Sequence, residues 1–191
     1  MLRALLTIAF AATQPAADPL TLELRIFDGI NEVTSESRLA VYRAGDHAEP
    51  LARCTARERS ITLQVPAGFY DAQAIRERDG RVLAIRWAER LVVMAYPDEG
   101  GRHLEVINLQ AGFGALQVRG GPSEPPPDVS LYAAGARDKE AAAALAGDGY
   151  VLFVVRAGTY DLLVRGAPSA WHRDIDVPPD RTRLWIPAMI R

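Results

Sequence analysis

One cysteine, Cys54, stands among 191 residues, so no disulfide can form within the chain and its stability must come from burial. That thiol lies near Ala52 and Ala56, and His47, His103 and His172 fall in no recognisable nucleophile motif. Cys54 therefore reads as a small, half-buried strand residue rather than a reactive centre. Neither sign of charge dominates: 22 Lys and Arg against 24 Asp and Glu give a net charge of −2. This leaves no basic stripe for a phosphate backbone, and nucleic acid is not an expected partner. The sequence has no apolar run approaching the roughly 20 residues of a membrane-spanning helix, and no P-loop, EF-hand loop, G-x-S-x-G elbow or H-E-x-x-H segment. No membrane span, cofactor or catalytic residue is expected.

What is present begins with an address. Met1-Leu2-Arg3, the apolar run Ala4 to Ala12 and the polar stretch Thr13 to Pro19 follow the order of a secretory signal peptide, assigned to residues 1–17. Cleavage after Ala11 or after Ala17 fits its small-residue zone. The remaining chain, with 49% hydrophobic residues overall, is large enough for two modules of roughly 80 to 90 residues each.

The chain also repeats itself. Laying Leu39–Ile75 over Val129–Arg165 at an offset of 90 aligns Tyr42 with Tyr132, Ala44-Gly45 with Ala134-Gly135, and Val65 with Val155. Further on, Ala67-Gly68 meets Ala157-Gly158, and Tyr70-Asp71 meets Tyr160-Asp161. More loosely, Leu22–Arg25 matches Leu116–Arg119 and Trp87 matches Trp171, the first copy having extra length over Ile75–Arg90. This pattern is an internal duplication.

Most segments alternate apolar and polar residues, as half-buried strands do: Leu22/Leu24/Ile26, Ile61/Leu63/Val65, Tyr70/Ala72/Ala74, Leu116/Val118, Tyr160/Leu162/Val164 and Ile175/Val177. Turn chemistry at Asp28-Gly29, Asp79-Gly80 and Gly147-Asp148-Gly149 separates them, and short strands so spaced predict a sandwich or barrel. Asp138–Leu145 has helix-forming composition, but the Gly147–Gly149 turn after it favours a strand leading into a hairpin.

The segment Ile61–Asp71 (ITLQVPAGFYD), echoed by Val151–Asp161 (VLFVVRAGTYD), resembles the strand, Pro-Ala-Gly-Thr-Tyr-Asp, strand signature of carboxypeptidase-regulatory-like domains. The second copy has Arg156 where proline is usual. The resemblance implies an all-β chain of two tandem transthyretin-like or immunoglobulin-like β-sandwich modules, at residues 20–109 and 115–191, joined by a linker at 110–114. It carries over no catalytic residue, because such domains resemble accessory, stabilising or ligand-binding units.

Three features bear on chemistry. Asp71 and Asp161 each follow an inward Tyr, so they are expected to face solvent or to cap the turn backbone. His172, Asp174 and Asp176 alternate as the wet face of a strand, too few in number for a metal centre. Trp87, Trp171 and Trp185 are candidate core plugs, with Trp87 and Trp171 the candidates for a ligand platform. These readings lead to an expected exported, periplasmic or secreted, non-enzymatic protein that holds an envelope or secreted protein. The alternative is a carbohydrate-binding module, which calls for two of Trp87, Trp171, Tyr96 and Tyr132 to lie coplanar on one exposed face.

Overall fold

β-branched and aromatic residues in alternation, broken by Gly and Asp turns, leave the chain little choice but strands. The computed structural model describes residues 18–55, 60–94, 102–120 and 125–186; the expected leader at 1–17 and Tyr96 lie outside the described residues. The first half contributes β1 (Leu20–Asp28), β2 (Asn31–Glu32), β3 (Ser37–Arg43), β4 (Ala52–Thr55), β5 (Ile61–Val65), β6 (Gly68–Arg78), β7 (Arg81–Val93) and β8 (Arg102–Asn108). The second contributes β9 (Phe113–Arg119), β10 (Val129–Ala133), β11 (Leu145–Ala146), β12 (Tyr150–Arg156), β13 (Gly158–Val164), β14 (Ala170–Val177) and β15 (Thr182–Trp185). A 3-10 turn at Thr34–Glu36 completes an all-β architecture.

Four sheets result. In the first half β1 pairs antiparallel with β2 and β5 and parallel with β8, while β4, β3, β6 and β7 form an antiparallel sheet in that order. In the second half β9 pairs antiparallel with β12 and parallel with β15, and β10, β13 and β14 form the other sheet. Leu22 lies opposite Leu63 and Leu116 opposite Phe153, so the two halves share this register as well as the sense of each pairing.

Three apolar layers hold the sheets face to face. Leu22, Leu24 and Ile26 pack with Val41, Tyr70, Ala72 and Val93 inside the first half. Leu116 and Val118 pack with Leu131, Phe153, Leu162 and Ile175 inside the second. A third layer joins the halves: Phe27, Leu104 and Val106 meet Phe113, Ala115, Tyr150, Leu152 and Val154. Each fully buried side chain of that size contributes about 1.5–3 kcal/mol relative to exposure, so this contact is a core in its own right. The stack places the β1 and β9 sheets inside and the β6 and β13 sheets outermost.

Two sequence expectations are corrected. Phe113 and Gly114, placed in the linker over 110–114, open β9, because Phe113 is drawn into the layer between the halves. Asp138–Leu145 is neither helix nor continuous strand: it runs through bends with a single bridge between Glu140 and Tyr132, and only Leu145 reaches β11. The Ala141 amide bonds the Leu131 carbonyl, and Ala142 packs on the second core, so edge contacts with β10 override local helix propensity. Among the described residues no helix is long and apolar enough to cross a membrane.

Candidate functional site

The repeated Tyr-Asp pair builds the same device in both halves. The Tyr70 hydroxyl donates to the Pro66 carbonyl and the Tyr160 hydroxyl to the Arg156 carbonyl, each at 2.6 Å, closing the turn before the strand. Only a backbone carbonyl is used, which is why Arg156 can replace the proline. Asp71, one residue on, accepts from the Gly45 amide at 2.9 Å and the Arg90 amide at 2.7 Å. Asp161 accepts from the Gly135 amide at 3.4 Å and the Asp174 amide at 3.3 Å. Both carboxylates cap backbone as expected, but both are buried rather than solvent-facing. Burial pushes the Asp71 carboxyl up, yet the amides of Arg90 and Gly45, together with His47, outweigh it and hold it below the usual carboxylate range.

Each Asp anchors a β-bulge. The register slips between Tyr70 and Ala72 against β7, and between Tyr160 and Leu162 against β14. Arg90 and Asp174, whose amides the carboxylates hold, sit at φ 55° and 57°, a left-handed conformation that a side chain adopts at a cost. The extra residue reverses the alternation beyond it. Trp87, which strict alternation from Leu91 would turn inward, pairs with Gln73 on the outer face, and Trp171 pairs with Leu163 in the same way. The same slip sets His172 opposite the inward Leu162, where its ring meets Trp185 at 4.6 Å. His172 thus leaves the face of Asp174 and Asp176, correcting the single wet face read from the sequence. Among the described residues no three His, Cys, Asp or Glu side chains are grouped to hold a metal ion.

The bulges bring matching clusters to the two outermost faces. In the first half His47 stacks on Trp87 at 4.5 Å and 28°, Tyr42 contacts both rings, and His47 Nε2 lies 2.8 Å from Asp71 Oδ2. In the second half Arg137, the counterpart of His47, lies 4.3 Å from the Trp171 ring centroid and 3.8 Å from Asp161 Oδ2. Tyr132 meets Trp171 at 5.2 Å with an interplanar angle of 53°, so these two rings form no flat platform. Trp87 and Trp171 lie on opposite outer sheets and do not converge. Trp87 is half-buried and Trp171 is 36% exposed, so neither is a core plug; Trp185 packs at the edge of the second core.

A His-Asp pair invites comparison with a base and its orienting acid. Among the described residues, however, no Ser, Thr or Cys side chain hydrogen-bonds to His47. Cys54 packs against the opposite, inner face of its sheet, and burial pushes its thiol up, away from the reactive thiolate.

Beside the first cluster opens a cavity of about 720 Å³, lined by Arg43, His47, Gly68, Phe69, Glu89 and Arg90 among others. Phe69 is 54% exposed and the Arg90 guanidinium lies 6.0 Å from its ring centroid. Sequence reasoning passed over Phe69 as part of the turn motif; the signal available was that the second copy carries Thr159 at that place. On the same sheet, edge strand β7 leaves Val82, Leu83 and Ile85 about half exposed.

No protein-family model matches the sequence, and no curated protein matches it. Among solved structures, the Bacillus anthracis TIE protein is 13% identical over 87% of this chain and 33% of its own, with a TM-score of 0.32. A candidate adhesin from Bacteroides ovatus is 11% identical over 97% of this chain and 98% of its own, with a TM-score of 0.33. The chain thus spans about a third of the length of the Bacillus anthracis protein. Scores this low carry no argument about this chain, whose all-β class rests on its own strands.

Proposed function

We propose that this chain is an exported, non-enzymatic binding protein, a tandem duplication of carboxypeptidase-regulatory-like, transthyretin-like or immunoglobulin-like sandwich modules, that holds another protein of the cell envelope or exterior. The observation that carries the reading is edge strand β7. It is 13 residues long, and Val82, Leu83 and Ile85 stand about half exposed along it. An open sheet edge with an apolar face is a template for a partner chain, and natural proteins leave one uncovered where it is used. The loop at Asp180 and Arg181 guards only the far part of the strand, through Arg86–Asp180 at 2.7 Å and the Arg181 guanidinium on the Glu89 carbonyl at 2.8 Å.

The test places a photo-crosslinking residue at Leu83, or at Arg53 on the opposite edge strand β4, in the full-length protein made in its own host. A single identified partner captured from Leu83 but not from Arg53, and lost in Ile85→Lys, is expected. Equal capture at both edges, or capture unaffected by Ile85→Lys, rejects the reading. The carbohydrate alternative, through Trp87 and Trp171, has less support, because each indole is already covered by an intramolecular neighbour.

A further inference from the structure

We infer that the cavity beside Phe69 binds a peptide segment presenting a carboxylate next to an apolar or aromatic side chain. This rests on the binding-protein reading and names the chemistry of its partner.

The two halves act as controls for one another. Tyr42, Gly45, Gly68, Tyr70 and Asp71 recur as Tyr132, Gly135, Gly158, Tyr160 and Asp161, and both aspartates hold their bulges through the same backbone amides. Among the residues lining the cavity that do not recur are the two arginines and the exposed phenylalanine. Arg43 is replaced by Ala133 and Phe69 by Thr159 at the offset of 90, and Arg90 by Asp174 at the bulge. The second half builds the same turn and bulge with Ala, Thr and Asp in these places. The scaffold therefore requires none of the three side chains that give the first cavity its character.

Their chemistry selects a ligand. Neither the Arg43 nor the Arg90 guanidinium forms a salt bridge among the described residues. Asp71 makes no ion pair with either: its oxygens are held by the Gly45 and Arg90 amides and His47. Glu89, the other acid on the lining, pairs with neither, so both guanidinium forks are left to receive an incoming carboxylate. The planar fork of arginine matches a carboxylate with paired hydrogen bonds, and the Phe69 ring offers apolar area beside them. A neutral sugar would need an open ring face with amide or carboxylate side chains to fix its hydroxyls. Here the ring is shared with Arg90, and Glu89 is the single side chain left for that role.

The experiment is an amide NMR titration of the isotope-labelled full-length protein with three probes: the capped peptide Gly-Asp-Phe-Asp-Gly, its Asn counterpart, and a uronic acid disaccharide. The acidic peptide is expected to shift the amides of Ala44, Gly45, Gly68 and Phe69 saturably. The Asn peptide should bind about tenfold or more weakly, the effect of losing a charge-assisted hydrogen bond. The variant R43A/F69T carries the residues of the second half, so its thermal midpoint should change little while its affinity falls by about tenfold or more. Equal binding of the Asn peptide, undiminished binding by R43A/F69T, or no shifts at these amides would overturn the assignment. Shifts with the uronic acid alone would overturn it in favour of an acidic saccharide. If the peptide fails while the Leu83 crosslink still captures a partner, the cavity assignment falls alone; if the crosslink also fails, the binding-protein reading falls with it.

Discussion

The Tyr150 hydroxyl of the second half donates to the Glu23 carboxylate of the first at 2.9 Å, within the apolar layer that joins the two inner sheets. Both residues are buried, and Arg102 reaches the same carboxylate at 2.8 Å while also pairing with Asp148 across the junction. A buried carboxylate depends on each of its donors. Tyr150→Phe keeps the ring and removes one, so a loss of about 1–3 kcal/mol is expected. Urea unfolding should show a lower midpoint with an unchanged slope; an unchanged midpoint would mean that Arg102 alone satisfies Glu23.

The same hydroxyl gives the junction a limit at high pH. Burial first, and the negative Glu23 second, push the Tyr150 hydroxyl up to about 12. The folded state then holds this proton where the unfolded chain, titrating near pH 10, has released it. The associated stability is fully present below about pH 10 and is lost as pH rises towards the folded value, on the order of 2–3 kcal/mol in all. Unfolding free energy measured across this range should fall more steeply for the native chain than for Tyr150→Phe.

Gly147 lies against the face of that ring. A Cβ built on it would stand 2.1 Å from Tyr150 Cζ, and the ring is pinned by Glu23 and by the layer around it. Gly147→Ala is expected to cost about 1–3 kcal/mol through overpacking. A thermal midpoint within error of the native value would show that the β11–β12 hairpin yields instead.

Asp71 and Asp161 should prove equivalent in role. Replacing either by Asn removes one of the two accepting oxygens that hold the bulge, with an expected loss of about 1–3 kcal/mol each. The two lie on the outermost of four stacked sheets, roughly 30 Å apart at about 10 Å per layer, so their effects should add. A double variant that loses markedly more or less than the sum would contradict independent bulges.

Acid should discriminate Asp71→Asn from the native chain. Because the folded carboxyl titrates below its ordinary value, its contribution is present above about pH 4 and is lost as pH falls through the folded value. Stability measured between about pH 5 and 2 should therefore decline less for Asp71→Asn than for the native chain. Parallel declines would remove Asp71 from the acid response.

Much of the fold was legible because local chemistry demanded it. Alternation at Ile61/Leu63/Val65 and Tyr70/Ala72/Ala74 places these side chains towards the first core, and the Gly-x-Tyr-Asp turn forms twice. The lining of the cavity was less legible: Phe69 looked like a turn residue, and its exposure depends on which residues of β3 and β7 flank it.

The sequence by itself determined the all-β class and the placing of most strands, since each follows from side-chain periodicity and turn chemistry within a few residues. Tertiary structure alone decided two things. Alternation in β1 predicts a wet face for Glu23, Arg25 and Phe27, yet all three are buried beneath the second half. Alternation in β7 and β14 would turn Trp87 and Trp171 inward, yet a bulge held by an acid from a neighbouring strand turns them out. Both outcomes depend on contacts between residues distant in sequence, and a period of two along one strand cannot encode what covers its other face or where its register slips.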